Sequence, residues 1–346
     1  MILLFFILLV ISIWGVKLSS FHEDYMSLTS TNAIKGIFAV IILYSHMRGY
    51  LTLTNSIYDR TYVTILRYIG QLMVAMYFFY SGYGIMESFK KKKNYGETFF
   101  KKRIVKTLLH FDIAVLLYII LQTCLGKYYG PFVYLGSIIG WESVGNSNWF
   151  IFDIIVLYII VYISYRFNPL PIKKETHNSC SWSFLCVVFI QCVCLWLFLL
   201  ITKKHSWWID TIMTFPLGIC FSLCRSKAVK ILRNDSYYYI IIVSLVSIMI
   251  LWHNFIGIDR YGFCACVFCL IILILSIKVK LDNKVLQWLG TQAFAIYILQ
   301  RLPMIMYTWL GINSITPLFV ILTIPSVLLL AYFYTKALKA LDKVLF

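Results

Sequence analysis

Long apolar runs alternate with short polar connections along the whole chain. Apolar segments fall at about residues 2–16, 34–53, 69–89, 107–126, 149–165, 183–202, 207–224, 237–252, 262–277, 286–303 and 314–335. Most are about 16 to 22 residues long, close to the roughly 20 needed to cross a bilayer as a helix. The pattern predicts an all-α polytopic membrane protein, a bundle of ten or eleven transmembrane helices. The first segment, Met1 to Val16, lacks a basic leader and a small-residue cleavage site, so it reads as an uncleaved anchor. Ten spans remain if it lies along the interface instead. Residues 1–30 are therefore expected to form an N-terminal membrane anchor and cytoplasmic linker, and 31–346 a transmembrane domain. Pro131 to Trp141 is too short to cross and is placed on the external side, as a lid or re-entrant segment.

Composition agrees with this pattern: 61% of the 346 residues are apolar and 13% charged, with a mean hydropathy of +0.83. Such a balance excludes a soluble domain, a disordered chain and a disulfide scaffold. A formal charge of +17 would suggest nucleic acid in a soluble protein, but the positions of the charges decide against that. Alternate connections hold 23 of the 31 Lys and Arg residues, among them Lys90 to Lys93, Lys101 to Arg103, Arg225 to Arg233 and Lys336 to Lys343. The other connections hold eight. By the positive-inside rule the first set is cytoplasmic, which puts the C-terminus on the cytoplasmic side of the cell membrane and the N-terminus on the external side. The run Lys90 to Lys93 would then face anionic membrane lipids. The ten cysteines lie mostly within apolar spans, and Cys264, Cys266 and Cys269 lack zinc-type partners, so no metal is expected.

An ionisable residue inside a span is costly and is by default a candidate for function. His22, His177, His205 and His253 fall in connections or at span ends, whereas His46 sits well inside the second segment. Lys35 precedes it by eleven residues, which places the two side chains within about 20° of each other around a helix and about 16 Å apart along it. A cation at one rim and a neutral imidazole deeper on the same face suit an anionic donor and general-base chemistry. A helix-packing histidine beside a snorkelling lysine fits the same spacing.

At these residues the chain resembles acyltransferase family 3, integral membrane proteins that transfer acyl groups, usually acetyl, to sugars of cell-surface polysaccharides. Lys35 and His46 resemble its basic-x10-His segment. Met76 to Gly84, reading MYFFYSGYG, is similar to its FF-hydrophobic-SG span, and Phe99 to Lys106, reading FFKKRIVK, to its Arg-x-x-Arg motif. Asn148, Trp149 and Phe150 resemble a Trp-Phe that opens a later span. Leu289-Gly290 with Ala295-Ile296-Tyr297 resembles the segment near the C-terminus that ends in IYL-x-H. In order and topology these cover roughly residues 31 to 335.

The resemblance implies a membrane-bound O-acyltransferase with His46 as catalytic residue and Lys35, Arg103 and Lys106 binding the donor, acetyl-CoA or another acyl-CoA. It implies a polysaccharide or lipid-linked sugar as acceptor, for which Glu142, Asn148 and Trp149 are the candidates on the external side. Tyr83, Ser45 and Ser81 are polar neighbours to consider. Direct deprotonation of the acceptor and prior passage of the acyl group to a protein residue are both compatible with the sequence. Lys35 and Lys106 stand where the family has Arg, keeping the charge without the bidentate fork, and Gln300 replaces a family His. The alternative from another class is a transporter or flippase of a polysaccharide precursor; it predicts related halves, and no such repeat is visible.

Overall fold

The computed structural model describes residues 6–7, 10–12, 14–53, 56–168, 170, 177–256 and 261–346. Residues 1–5, 8, 9 and 13 of the expected N-terminal anchor lie outside the described residues, and with them the test of that anchor. Among the described residues nine helical stretches are long and apolar enough to cross a membrane. They account for nine of the ten segments expected after the first. The tenth, expected over 286–303, is a helix of 16 residues, α13 (Lys284–Leu299), followed directly by α14 (Arg301–Trp309). Pro303 explains the break: it has no N–H, and its ring crowds the carbonyl four residues back, that of Leu299. The Arg301 N–H at the break donates to the Tyr118 hydroxyl at 3.2 Å.

α1 (Leu28–Met47) starts six residues earlier than the apolar run, because Ser27 caps it by accepting from the Ser30 N–H at 3.2 Å. α2 (Ile57–Ile69) is amphipathic and leads into the spanning α3 (Leu72–Lys91). α4 (Tyr95–Phe99) runs through a π-helical turn at Phe100–Val105 into α5 (Lys106–Cys124). The short segment expected at 131–141 forms α6 (Pro131–Ile138), and α7 (Trp149–Phe167) follows. The remaining helices are α8 (His177–Ile201), α9 (Ser206–Ile209), α10 (Thr214–Leu232), α11 (Asp235–Ile256), α12 (Tyr261–Lys278) and α15 (Thr316–Leu345).

Two seams hold the middle of the bundle, and in both a glycine lets one backbone touch the next. A Cβ on Gly290 of α13 would lie 1.9 Å from the Asn32 carbonyl oxygen of α1, and one on Gly36 of α1 would lie 2.1 Å from that of Leu286. Gly82 of α3 and Gly218 of α10 repeat the device, each with a carbonyl oxygen at 2.1 Å.

One departure from an all-helical chain is a two-stranded ribbon: β1 (Val16–Leu18) pairs antiparallel with β2 (Val279–Leu281), Lys17 opposite Lys280. Lys17 pairs with Asp282, Lys280 with Asp24 at 2.6 Å, and Arg233 with Glu23, so the linker before α1 is strapped to connections distant in sequence. All of these lie in connections of the lysine-rich set. Contacts within the other set include Lys204 to the Trp141 carbonyl at 3.1 Å and Asn313 to that of Tyr50 at 3.1 Å. The two sets of connections thus bond among themselves, as alternate ends of a bundle do.

Candidate functional site

A cavity of about 510 Å³ opens beside α1, walled by α3, the π turn, α5, α7 and α13. Its ionisable side chains other than tyrosines are all basic: Lys35 from α1, Lys102 and Arg103 from the π turn, and Lys106 and His110 from α5. A π turn is wider than an α turn, so it changes which residues face inward, and such turns concentrate at functional sites. Here it brings Lys102, Arg103 and Lys106 to one wall. Lys35 stands there because Gly36, next to it, presses against α13, and because the Tyr77 hydroxyl donates to the Lys35 carbonyl at 2.7 Å.

The charges in this wall are unevenly answered. Lys106 is paired with Asp342 of α15 at 2.7 Å, and the same carboxylate takes His110 Nε2 at 2.9 Å. Lys35 and Arg103 make no ion pair among the described residues. The Lys35 ammonium lies 5.6 Å from the Tyr80 ring centroid and 3.5 Å from Asn32 Oδ1, while Arg103 Nε donates to the Tyr95 hydroxyl at 3.0 Å. With Lys102, which likewise makes no ion pair among the described residues, these cations face the cavity without carboxylates of their own and form a receptive surface for a phosphate or another anion.

The opposite end of the cavity is aromatic. Tyr297 of α13 lines it, edge-on to Phe150 at 5.4 Å between centroids, and Phe150 packs in turn on Phe78 at 4.7 Å. His46 does not line the cavity: it lies behind Tyr297, with ring centroids 6.2 Å apart and edge to face. Arg301 Nη2 donates to His46 Nδ1 at 2.9 Å. The Tyr50 hydroxyl also reaches this guanidinium. Both His46 and Arg301 keep part of their surface exposed.

The sequence-predicted residues therefore divide. Lys35, Arg103 and Lys106 meet on one wall, and His46 stands beyond its aromatic end. Ser81 lines the cavity and shares a hydrogen bond with the Tyr158 hydroxyl at 3.0 Å. Tyr83 turns elsewhere and accepts from Arg225 at 2.9 Å, while Ser45 packs against Gly70.

Glu142, Asn148 and Trp149 line no part of the cavity. Glu142 lies over Gly136, Asn148 donates to the Gly140 carbonyl at 2.8 Å as it leads into α7, and Trp149 packs edge-on to Phe150. Near them Lys204 sits 3.7 Å from the Trp141 ring centroid and 4.4 Å from that of Trp208. Asp153 is fully buried on α7, and neither carboxylate oxygen has a hydrogen-bond partner among the described residues.

Sequence reasoning missed His110 and Arg301. Each lies inside an apolar segment, the same signal that singles out His46, but Arg301 is close enough to the end of its segment to read as a loop charge, and His110 stands near the start of its own. A family model described as an acyltransferase domain matches residues 28–336, nearly the whole chain. No curated protein and no solved structure matches it.

Proposed function

The chain belongs to acyltransferase family 3, which makes it a membrane acyltransferase, and we propose that it moves an acyl group, acetyl in the simplest case, from cytoplasmic acyl-CoA to a hydroxyl of a cell-surface or capsular polysaccharide or its lipid-linked precursor. One observation carries this reading: the cavity that exposes Lys35 and Arg103 without acid partners ends at Tyr297, directly in front of His46. The donor's phosphates sit at the basic wall, with Lys106 adding charge from its pair with Asp342. The thioester extends along the cavity toward Tyr297. The basic wall belongs to the lysine-rich connections, which the positive-inside rule assigns to the cytoplasm.

His46 then acts as general base. It takes the proton of the acceptor hydroxyl as that oxygen bonds to the thioester carbonyl carbon. The carbon–sulfur bond breaks, and the CoA thiolate leaves with the proton that His46 received. The acceptor reaches His46 from the side away from the cavity, with Glu142, Asn148 and Trp149 in the segments bordering that approach.

The test is transfer of labelled acetyl from acetyl-CoA to cell-envelope polysaccharide by membranes holding wild type or His46→Ala at matched levels. Label incorporated by wild type and lost in the variant is expected. Transfer from succinyl-CoA alone would change the acyl group, and no transfer from either donor to the native acceptor would overturn the reading.

A further inference from the structure

Arg301 carries a permanent charge into an enclosure built of phenols and an imidazole. Its Nη2 donates to His46 Nδ1, its backbone N–H to the Tyr118 hydroxyl, and Tyr50 lies against it. Among the described residues it makes no ion pair, and its Nε is buried without an acceptor. Asp153 on α7 does not supply the missing anion, since neither of its oxygens takes a hydrogen bond. The guanidinium is partly exposed, so an anion can reach it, and its buried Nε is a donor left over for that anion to take. The phosphates of the donor are not placed to do so. Their cations lie on the far side of Tyr297, with Lys35 about three helical turns from His46.

We propose that Arg301 receives a carboxylate or phosphate group carried by the acceptor, so that the site acylates anionic saccharides, and that acceptor binding releases His46 from Arg301. This rests on the acyl-transfer reading above and names the chemistry of its acceptor. Arginine only donates, so while Arg301 is bonded to Nδ1 that nitrogen must be the acceptor and the imidazole proton sits on Nε2. The lone pair a base requires is occupied. An acceptor anion offers the guanidinium a charged, bidentate partner, stronger than a neutral imidazole. Once the guanidinium turns to it, Nδ1 is free to take the proton of the adjacent hydroxyl. That oxygen bonds to the thioester carbon, and the thiolate departs with the proton. The base is thus unmasked only when the acceptor is present, which protects the thioester from water.

The experiment uses the purified full chain in lipid nanodiscs with acetyl-CoA and three acceptors: an oligosaccharide bearing a uronate, the same oligosaccharide as its carboxamide, and a counterpart bearing a phosphodiester. Wild type is expected to favour at least one of the two anionic acceptors over the carboxamide by about tenfold or more in kcat/KM, the scale of one charge-assisted hydrogen bond. Whichever anionic acceptor leads identifies the source of the charge. Arg301→Gln is expected to collapse that ratio to within about twofold, mainly through the acceptor's KM, and Arg301→Lys to keep part of it. No anionic preference in wild type, or a preference that survives Arg301→Gln, overturns the proposal and leaves acyl transfer standing. Absence of transfer to any acceptor from acetyl-CoA or succinyl-CoA overturns the reading beneath it. Should Arg301→Gln fail to accumulate, the wild-type ratios and Arg301→Lys decide.

Discussion

Gly290→Ala is the smallest change that should separate the two halves of the site. The added methyl would stand 1.9 Å from the Asn32 carbonyl oxygen and 2.6 Å from its carbon, both backbone atoms of α1. Gly36 makes the reciprocal approach to Leu286, so no flexible side chain lies in the seam to absorb the strain. Relief to an ordinary contact needs α13 to move from α1 by about 1 Å or more. Lys35 and His46 ride on α1, while Tyr297 and Arg301 ride on α13 and α14. The same displacement would stretch the 2.9 Å bond from Arg301 to His46 beyond hydrogen-bonding range. Overpacking of this kind costs about 1–3 kcal/mol of stability, and misplacement by about 1 Å at a reacting centre costs about 100-fold in rate. The assay is acyl transfer alongside thermal unfolding in detergent. Two companions are measured with it: Gly130→Ala, where a Cβ meets nothing within 4 Å, and Gly218→Ala, which strains the other seam through α10, a helix that forms none of the cavity wall. Gly218→Ala should lower the melting temperature with a smaller loss of rate. A Gly290→Ala protein that melts with wild type and transfers within about twofold of it would refute the argument.

Lys35→Ala should raise the KM for acetyl-CoA about tenfold, the loss of one charge-assisted phosphate contact, with the acceptor's KM unchanged and Lys35→Arg restoring the donor; steady-state kinetics that show equal rises for both substrates would count against a donor role. Tyr297→Phe should transfer at close to the wild-type rate, because the buried hydroxyl, although near the Phe150 N–H, makes no well-aligned hydrogen bond; a loss of more than about tenfold would show that the hydroxyl itself takes part. The β1–β2 strap should be insensitive to pH between 5 and 8. Hydrogen bonds from Lys280 and Lys17 hold Asp24 and Asp282 below the ordinary aspartate value of 3.8, so the stability they give is complete above that value and is lost as pH falls through the lowered one. Hydrogen exchange at residues 16–18 checks this, and loss of protection between pH 7 and 5 would contradict it.

The spans after the first were legible because bilayer-length apolar runs leave little choice of structure. Their limits were less so: the helix expected over 34–53 runs over 28–47, since a serine cap and a few Ser and Thr residues at its start lower hydropathy without stopping a helix. α2 escaped because its charges, Asp59, Arg60 and Arg67, hide an amphipathic helix from a hydropathy scan. The strap escaped for a different reason. Each strand is the tripeptide VKL, and the partners are about 260 residues apart, so nothing local announces the pairing. In the site, Lys35, Arg103 and Lys106 were expected together because their motifs resemble those of the family, and the cavity lining does bring them to one wall. The bond from Arg301 to His46 depends on a helix break at Pro303 and on a glycine seam, and neither can be aimed from one segment alone.

The proposed reaction sets a problem that α13 and α14 are built to meet. Donor and acceptor arrive from opposite ends of the bundle, and the acyl group must pass between them while no continuous channel opens across the membrane. Tyr297 closes the inner end of the donor cavity, braced by Phe150 on one side and His46 on the other. Arg301 follows four residues later, close to one turn of helix, so the partition and the group facing the acceptor share one short stretch of backbone. Pro303 leaves the Leu299 carbonyl without its helical donor, and at the same break the Arg301 N–H bonds to the Tyr118 side chain at 3.2 Å. A turn secured by a phenol yields more readily than one secured by its own helix. A movement of Arg301 toward an incoming anion would therefore pull on the backbone that carries Tyr297. The ring that separates the thioester from His46 would shift at the step when His46 becomes free to act.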